Sequence, residues 1–336
     1  MKLFDIRSSG RHLIRYRLLV MLIAVAVFGG LSLPDFLTVH TFQSIFDRAS
    51  IIGLLALALT PLLIAGQIDL SIGSILSLSG VSTIYFQPIV GDVPAALIGL
   101  AVGVVIGLIN AALVVLLKIS SLVATLATLL IFASLALLVT NSQPLSSADP
   151  LFGISLTSDF LAILSPRSAL FVLAAVLMFV WLRTTPSGRN LYAVGSNLPA
   201  ATSAGLNANG YLVATFVISG FFAGAAGVLQ SLSTATGSPI AGATVLIPAL
   251  TAVVIGGTRL EGGRGSSLAT LGGVLALGAL TTLLEYNNVP AYTQAVYTGV
   301  LLILLITLDS HAGRDPSSIL RAHRRARLTP TTPTNA

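Results

Sequence analysis

Cysteine is absent from the chain, and charged residues are scarce: Asp, Glu, Lys and Arg together make up 8% of the sequence, whereas hydrophobic residues make up 55%. A soluble globular domain carries about a quarter of charged residues. The absence of cysteine excludes a disulfide framework and a thiolate metal site. The four histidines are scattered without paired ligand spacing, so no metal site is predicted. The composition therefore indicates a membrane protein.

Catalytic motifs are also missing. A phosphate-binding P-loop requires a lysine after a glycine, but the chain has only two lysines, Lys2 and Lys118, and neither follows a glycine. No G-x-S-x-G or H-E-x-x-H motif occurs. We therefore expect that the chain is not an enzyme, that it has no cofactor of its own, and that any energy for transport comes from another protein.

Long apolar runs dominate what is present. A membrane-spanning helix needs about 20 predominantly apolar residues, fewer where neighbouring helices cover its ends. Ten runs have this character, at residues 18–33, 50–66, 71–87, 93–117, 122–140, 168–182, 211–231, 244–257, 267–285 and 291–308. They predict an all-α, polytopic integral membrane bundle of about ten transmembrane helices. Several runs are short, so two of them are candidates for broken or re-entrant helices.

The basic residues orient the bundle, because Lys and Arg concentrate in cytoplasmic loops. With the N-terminus inside, fifteen of the 17 basic residues fall in cytoplasmic segments, and only Arg48 and Arg167 lie outside. Both termini are therefore predicted to be cytoplasmic. We expect a basic N-terminal segment at 1–17, one transmembrane domain at 18–310, and a basic, partly disordered tail at 311–336. The net charge of +6 comes mostly from the tails and membrane-flanking residues, so nucleic-acid binding is not expected.

Glycines recur at three- or four-residue spacing in two of the runs, as Gly99, Gly103 and Gly107 and as Gly220, Gly224 and Gly227. Small residues at this spacing let helix backbones approach closely within a bilayer. They predict close helix packing, and hinges for helix movement are the alternative.

Strongly polar residues within the runs are few, and in a bilayer such residues have structural or functional roles. Four of them are possible residues of a hydroxyl-tolerant translocation pathway: Gln67, Asn110, Thr125 and Thr128. Asp69 lies at the turn between the second and third runs. It either caps the third helix, with Ser71 alongside, or takes part in gating or coupling.

One long polar loop on the predicted cytoplasmic side is the candidate site for a partner protein. Its sequence at 183–210 is RTTPSGRNLYAVGSNLPAATSAGLNANG, and glycines divide it into two short helical pieces. Ala200, Ala201 and Ala204 give the second piece a flat, small-residue face that suits close docking into a groove. An ordinary solvated linker is the alternative, but the alanines and the sparse charge favour docking.

Three motifs of the chain are GQIDLSIGSILSLSG (66–80), GRNLYAVGSNLPAATSAGLN (188–207) and VVIGGTRLEGGRGS (253–266). They resemble the G-x-x-DLS-x-G signature, the cytoplasmic coupling segment and the Gly-rich loop of one permease family. This family comprises the permease subunits of ribose-, xylose- and arabinose-type ATP-binding cassette (ABC) importers, within the branched-chain amino-acid and sugar permease superfamily. The resemblance covers nearly the whole chain.

The resemblance implies the transmembrane permease subunit of an ATP-driven sugar importer in the bacterial cytoplasmic (inner) membrane. Its expected partners are a second permease, two cytoplasmic ABC ATPases that bind ATP and Mg²⁺, and an extracytoplasmic substrate-binding protein. A branched-chain amino-acid or other small-solute permease is the alternative; a secondary carrier or channel without ATPases is a further one. Leu246 and Pro248 stand where family members often carry acidic residues, so the second permease is either an identical or an unlike chain.

The resemblance also assigns roles to residues of the three motifs. The signature or gating residues are Gly66, Asp69, Leu70, Ser71 and Gly73. The ATPase-coupling residues are Gly188, Arg189, Ala193, Val194, Gly195, Asn197, Ala201, Ala204 and Gly205. The Gly-rich cytoplasmic loop contributes Gly256, Gly257, Gly262, Gly263, Arg264 and Gly265.

Overall fold

The computed structural model describes four parts of the chain: residues 17–32, 36–158, 160 and 163–312. The predictions for the N-terminal segment and for the basic tail fall almost entirely outside these parts. Within them the chain is a bundle of α-helices with one antiparallel pair of two-residue strands. The predicted all-α class is therefore confirmed.

The helices of the first half are α1 (Arg17–Ser32), α2 (Val39–Ile64), α3 (Ile72–Val90), α4 (Asp92–Ala111), α5 (Ser121–Val139), α6 (Pro150–Ser155) and α7 (Pro166–Thr184). Those of the second half are α8 (Pro186–Ser196), α9 (Leu198–Ser203), α10 (Ala208–Ser233), α11 (Leu246–Ile255), α12 (Ser267–Tyr286) and α13 (Ala291–Ala312). The short elements are a π-helical turn (Ala112–Leu116), a 3₁₀-helix (Ala241–Thr244), β1 (Leu145–Ser146) and β2 (Thr236–Gly237).

Each of the ten predicted apolar runs overlaps one of these helices. In the described parts, six helices are long and apolar enough to cross a membrane, namely α2, α4 with its π-helical turn, α5, α7, α10 and α12. The described apolar stretches of α1, α11 and α13 are shorter, and α3 carries several serines. The chain is thus a polytopic helical membrane protein, as the composition predicts.

One helix differs clearly from its predicted bounds, and one of the short runs contains a broken helix. α2 begins at Val39 and not near residue 50, because its charged residues find partners on neighbouring helices. Arg48 forms an ion pair with Glu285 of α12, and Asp47 lies 3.6 Å from the guanidinium Nε of Arg167 at the start of α7. α11 has only 10 residues and follows the 3₁₀-helix, so the eighth run is a broken helix.

Burial separates an inner from an outer layer of helices. In the most apolar stretch of α2, 83% of the residues are buried, compared with 22% in that of α5 and 28% in that of α7. α3 and α10 are also largely buried, and they pack against α4 and against each other. The outer helices α5 and α7 direct most of their apolar side chains away from the bundle, as expected for helices that face lipid or another subunit.

The predicted close packing of glycines is confirmed between α4 and α10. A methyl group on Gly103 would lie 2.4 Å from the carbonyl oxygen of Gly220, and one on Gly220 would lie 2.3 Å from that of Gly103. One turn along, a methyl group on Gly107 would lie 2.5 Å from the carbonyl oxygen of Phe216. The two backbones are therefore in direct contact, and only glycine fits at these positions.

Gly220→Ala is expected to destabilise the bundle, because its β-carbon has no space beside α4. Overpacking of this kind costs about 1–3 kcal/mol. Gly299→Ala in α13 is the matched control, since nothing lies within 4 Å of a β-carbon placed there. The measurement is the fraction of monodisperse protein that remains after heating in detergent. Equal thermal stability of the two variants would contradict the backbone contact.

Candidate functional site

The signature segment begins at the C-terminal end of α2, where the helix stops in a glycine turn. Gly66 has a φ of +73°. The N–H groups of Gly66 and Gln67 donate to the carbonyl oxygens of Leu63 (3.0 Å) and Leu62 (2.9 Å). This pairing is a Schellman motif, which ends a helix at a glycine with positive φ. The chain leaves the helix here and stays non-helical until Ile72.

Three segments that are far apart in sequence meet at this turn: the end of α2, α8 and the Gly-rich loop. A methyl group on Gly195 would lie 1.7 Å from the carbonyl oxygen of Ile64, and one on Gly262 would lie 2.5 Å from that of Gly195. The N–H of Gly263 donates to the carbonyl oxygen of Ile64 over 2.9 Å. We call Gly66, Gly195, Gly262 and Gly263 the glycine junction. Because these residues lack a β-carbon, their backbones touch directly.

Tyr192 ties α8 to the Gly-rich loop through its side chain. Its hydroxyl donates to the carbonyl oxygen of Gly265 over 2.9 Å. Burial raises the pKa of the Tyr192 phenol, and the positive charge of Arg183 opposes this rise only in part. The phenol therefore remains protonated at neutral pH and stays a hydrogen-bond donor.

α8 and α9 make up the predicted coupling segment, and a side chain caps the start of each helix. The hydroxyl of Thr185 accepts from the N–H of Gly188 (3.1 Å), and the amide oxygen of Asn197 accepts from the N–H of Ala200 (3.0 Å). Both helices have a proline in their first turn, where no backbone donor is lost. The two predicted helical pieces are therefore present.

The coupling segment has a buried and an exposed face. Gly188, Val194 and Ala201 are buried against the bundle. This corrects the expectation that all nine coupling residues face a partner, because these three hold the segment on the bundle instead. Gly195 belongs to the glycine junction. The other five are exposed, and we call them the coupling face: Arg189, Ala193, Asn197, Ala204 and Gly205.

The Gly-rich loop owes its shape to positive φ angles. They are +90° at Gly257, +93° at Gly262 and +70° at Gly263. Of the other residues predicted for this loop, Gly256 packs against the backbone of α12, and Gly265 packs against α2. Arg264 is exposed. The loop lies beside the coupling face, and the exposed arginines make this end of the bundle basic: Arg183, Arg189 and Arg264.

A buried hydrogen-bond network lies beside the non-helical part of the signature segment. Asp69 is fully buried, and its Oδ1 accepts from the N–H (2.8 Å) and the hydroxyl (2.5 Å) of Ser71. Its Oδ2 accepts from the hydroxyl of Ser219 on α10 over 3.0 Å. The Ser71 hydroxyl accepts from the amide of Asn110 on α4, and Asn110 accepts from Thr128 on α5, both over 2.8 Å. This Asp69 network joins four helices.

Backbone N–H groups of the non-helical segment donate hydrogen bonds to side chains of the same region. The bond from the Ser71 N–H to Asp69 closes a turn just before α3, and no side chain caps the first turn of this helix, so the prediction that Asp69 caps α3 is wrong. The N–H of Leu70 donates to the hydroxyl of Thr125 on α5 over 3.1 Å. Unpaired backbone groups are costly inside a membrane, and these contacts explain why the break between α2 and α3 is stable.

The structure brings three of the four possible pathway residues into this network. Asn110, Thr125 and Thr128 are fully buried and hydrogen-bonded to the signature segment or to each other. They hold α3, α4 and α5 together. Gln67 is half-buried at the edge of the glycine turn. A role of these four residues in transport stays a prediction.

Two residues of the site were missed in the sequence. Ser219 stands just before Gly220, and a lone hydroxyl next to a glycine stripe is the pattern that could have identified it. Ile64 acts through its backbone carbonyl, which no side-chain pattern indicates. In the described residues, no group of three or more His, Cys, Asp or Glu side chains is placed to hold a metal ion.

The fold and the site define the class as a polytopic helical membrane protein whose interrupted helices meet a polar segment at one end of the bundle. Comparison with known proteins identifies the family. Residues 41–305 match the family model described as "Branched-chain amino acid transport system / permease component". The chain belongs to this family of transport permeases.

Curated relatives agree with this assignment. The chain is 33% identical to the ribose import permease protein RbsC of Bacillus subtilis, over 87% of this chain and 90% of the relative. It is 29% identical to RbsC of Haemophilus influenzae, over 90% of this chain and 95% of the relative. It is 31% identical to the autoinducer 2 import system permease protein LsrD of Escherichia coli, over 85% of this chain and 88% of the relative. No solved structure matches the chain. These relatives are transport components and not enzymes.

Proposed function

We propose that this chain is the membrane-spanning permease subunit of an ATP-driven importer for a sugar, with ATP hydrolysis on separate cytoplasmic subunits. The glycine junction carries the proposal, because it places the coupling segment in direct backbone contact with the end of α2. A displacement of α8 reaches the α2–α3 break without a flexible side chain in between. The lack of a P-loop supports an external source of energy.

The coupling face is the proposed contact for the ATPase. When the two ATPase subunits bind ATP and Mg²⁺ and approach each other, α8 and α9 move with them. The glycine junction passes this movement to α2 and to the Gly-rich loop. The Asp69 network keeps the start of α3 attached to α4, α5 and α10, so these helices shift together. The pathway thereby opens alternately to the two sides of the membrane.

The proposed assembly contains a second permease, two ATPases and an extracytoplasmic binding protein in the bacterial cytoplasmic membrane. Both termini lie in the cytoplasm, with residues 1–17 and 311–336 as basic segments on either side of the transmembrane domain at 18–310. The positive-inside rule supports this orientation, and so does the clustering of exposed arginines beside the coupling face. The second permease is an identical or an unlike chain.

The proposed substrate class follows from the relatives. RbsC is named for ribose import and LsrD for autoinducer 2 import, whereas the family description names branched-chain amino acids. Because the chain matches ribose permeases along most of its length, we favour a sugar. A branched-chain amino acid is the second candidate.

Reconstitution in liposomes tests this function. Proteoliposomes that contain the chain, with the ATPase and the binding protein encoded beside it, are expected to accumulate labelled ribose when ATP is enclosed with the ATPase. Liposomes with the permease alone, or with a non-hydrolysable ATP analogue, are expected to show no uptake. Uptake by the permease alone would identify a secondary carrier or channel. Uptake of labelled leucine in place of ribose would establish the amino-acid candidate.

A further inference from the structure

A second non-helical segment, from Ala235 to the 3₁₀-helix, runs through the bundle beside α3. Gly237 packs against Ile84, where a methyl group would lie 3.1 Å from the Ile84 Cβ. Gly242 packs against Gly73 so closely that a methyl group would lie 1.7 Å from the Gly73 carbonyl oxygen. Residues 73 to 84 of α3 span about 16 Å along the helix axis. The segment therefore descends along about half of a bilayer core.

The depth of this segment follows from its neighbours. The start of α3 is hydrogen-bonded through Ser71 to Asn110. Further along α3, Ser79 packs against Gly99 of α4: a methyl group on Gly99 would lie 2.7 Å from the carbonyl oxygen of Ser79. Both Asn110 and Gly99 lie inside the membrane-spanning helix formed by α4 and its π-helical turn. The non-helical segment beside α3 is therefore at membrane depth.

Lipid is not a suitable neighbour for this segment. Non-helical backbone at membrane depth is tolerated only where protein covers it or where it lines a water-filled cavity. In this chain the segment is uncovered on one side: Ile240 is 65% exposed, and Ala243 and Thr244 are also exposed. The first turn of α11 has no side-chain cap for its N–H groups. Water or another subunit must therefore lie against this side.

The exposed side opens into a cleft of about 290 Å³ between α3, α5 and the 3₁₀-helix. Its wall is mostly apolar and has no charged side chain; Ser74 and Ser77 belong to it, but both are buried. Ser77 accepts from the N–H of Gly242 over 2.9 Å, and Ser74 donates to the carbonyl oxygen of Ser71 over 2.8 Å. The remaining wall is apolar, with Leu129 and Leu246 among its residues. Such a wall offers an uncharged solute no strong contact that it would lose on leaving.

We propose that this cleft is the wall of the translocation pathway, and that the face with Ala243 and Thr244 meets water between this chain and the second permease. The proposal rests on the proposed function and extends it, because it places the route of the substrate between the face of α3 that carries Ser74 and Ser77 and the 3₁₀-helix. The route lies beside the Asp69 network and does not pass through it.

Single cysteines can test this proposal cleanly, because the chain has no cysteine of its own. Ala243→Cys is compared with Ile303→Cys in α13, which is 67% exposed and expected to face lipid, and with Gln143→Cys in an exposed loop. Each variant is reacted in membranes, as part of the assembled importer, with a membrane-impermeant maleimide. Ala243→Cys is expected to react at a rate within about tenfold of Gln143→Cys, and Ile303→Cys at least a hundredfold more slowly.

Two results would overturn the proposal. Reaction of Ala243→Cys as slow as that of Ile303→Cys would place the face against lipid. Blocked labelling of Ala243→Cys, together with spontaneous dimerisation through a disulfide between two copies of this variant, would show that a second copy covers the face in a dry contact. The labelling does not depend on ATP-driven uptake, so an importer that fails in liposomes and an inaccessible cleft are separate outcomes.

Discussion

Gly195→Ala is expected to lower ATP-dependent uptake about tenfold or more while the chain still inserts into the membrane. The added β-carbon would lie 1.7 Å from the carbonyl oxygen of Ile64, a distance that no rotation of a side chain can relieve. Because overpacking costs about 1–3 kcal/mol, α8 must lift from the end of α2. The coupling segment then no longer transmits movement to the α2–α3 break.

The effect of Gly195→Ala is measured as uptake and as ATP hydrolysis in the reconstituted importer, with Gly299→Ala as the control. Both variants add one methyl group to a helical glycine, but the methyl group at position 299 meets nothing within 4 Å. Gly299→Ala is expected to retain the parent uptake. Equal uptake by both variants would show that the glycine junction does not transmit force.

The second large effect is expected from Asp69→Ala, which removes the acceptor of three hydrogen bonds at a fully buried position. Leaving buried donors unpaired costs about 1–3 kcal/mol each. The N–H and hydroxyl of Ser71 and the hydroxyl of Ser219 are the affected groups. We therefore expect an apparent melting temperature lower by roughly 5 °C or more in detergent, together with loss of uptake.

Asp69→Asn separates the structural from the electrostatic role of this residue. The asparagine oxygen can still accept from Ser71, and its amide can donate to the hydroxyl of Ser219. If Asp69 acts as a hydrogen-bond acceptor that fixes the start of α3, Asp69→Asn keeps its thermal stability and most of its uptake. A stable Asp69→Asn protein without uptake would instead show that transport requires the negative charge.

Apolar runs were enough to predict the helices, because each run must be covered by lipid or by other helices. They did not predict where α2 begins. Arg48 and Asp47 looked like a boundary, yet both belong to the helix because their partners, Glu285 and Arg167, come from distant parts of the chain. Sequence spacing cannot reveal such long-range pairing.

The candidate site was predicted in its parts and not in its arrangement. Motif resemblance identified Gly66, Gly195 and Gly262, but only the fold shows that their backbones touch. Polarity identified Asn110 and Thr128 as unusual, but it could not show that they bond to the signature segment. Both limits have one physical cause, since contacts between segments depend on helix packing and not on local sequence.

The ion pairs of Asp47 and Arg48, in the first half of α2, bear on how this helix can move. Arg48 is tied to Glu285, whereas the far end of the same helix touches Gly195. Between Arg48 and Ile64 the helix is about 24 Å long. We expect α2 to tilt as a rigid helix near Arg48 when α8 moves, and a displacement of about 2 Å at Ile64 then corresponds to a tilt of about 5° at this helix length.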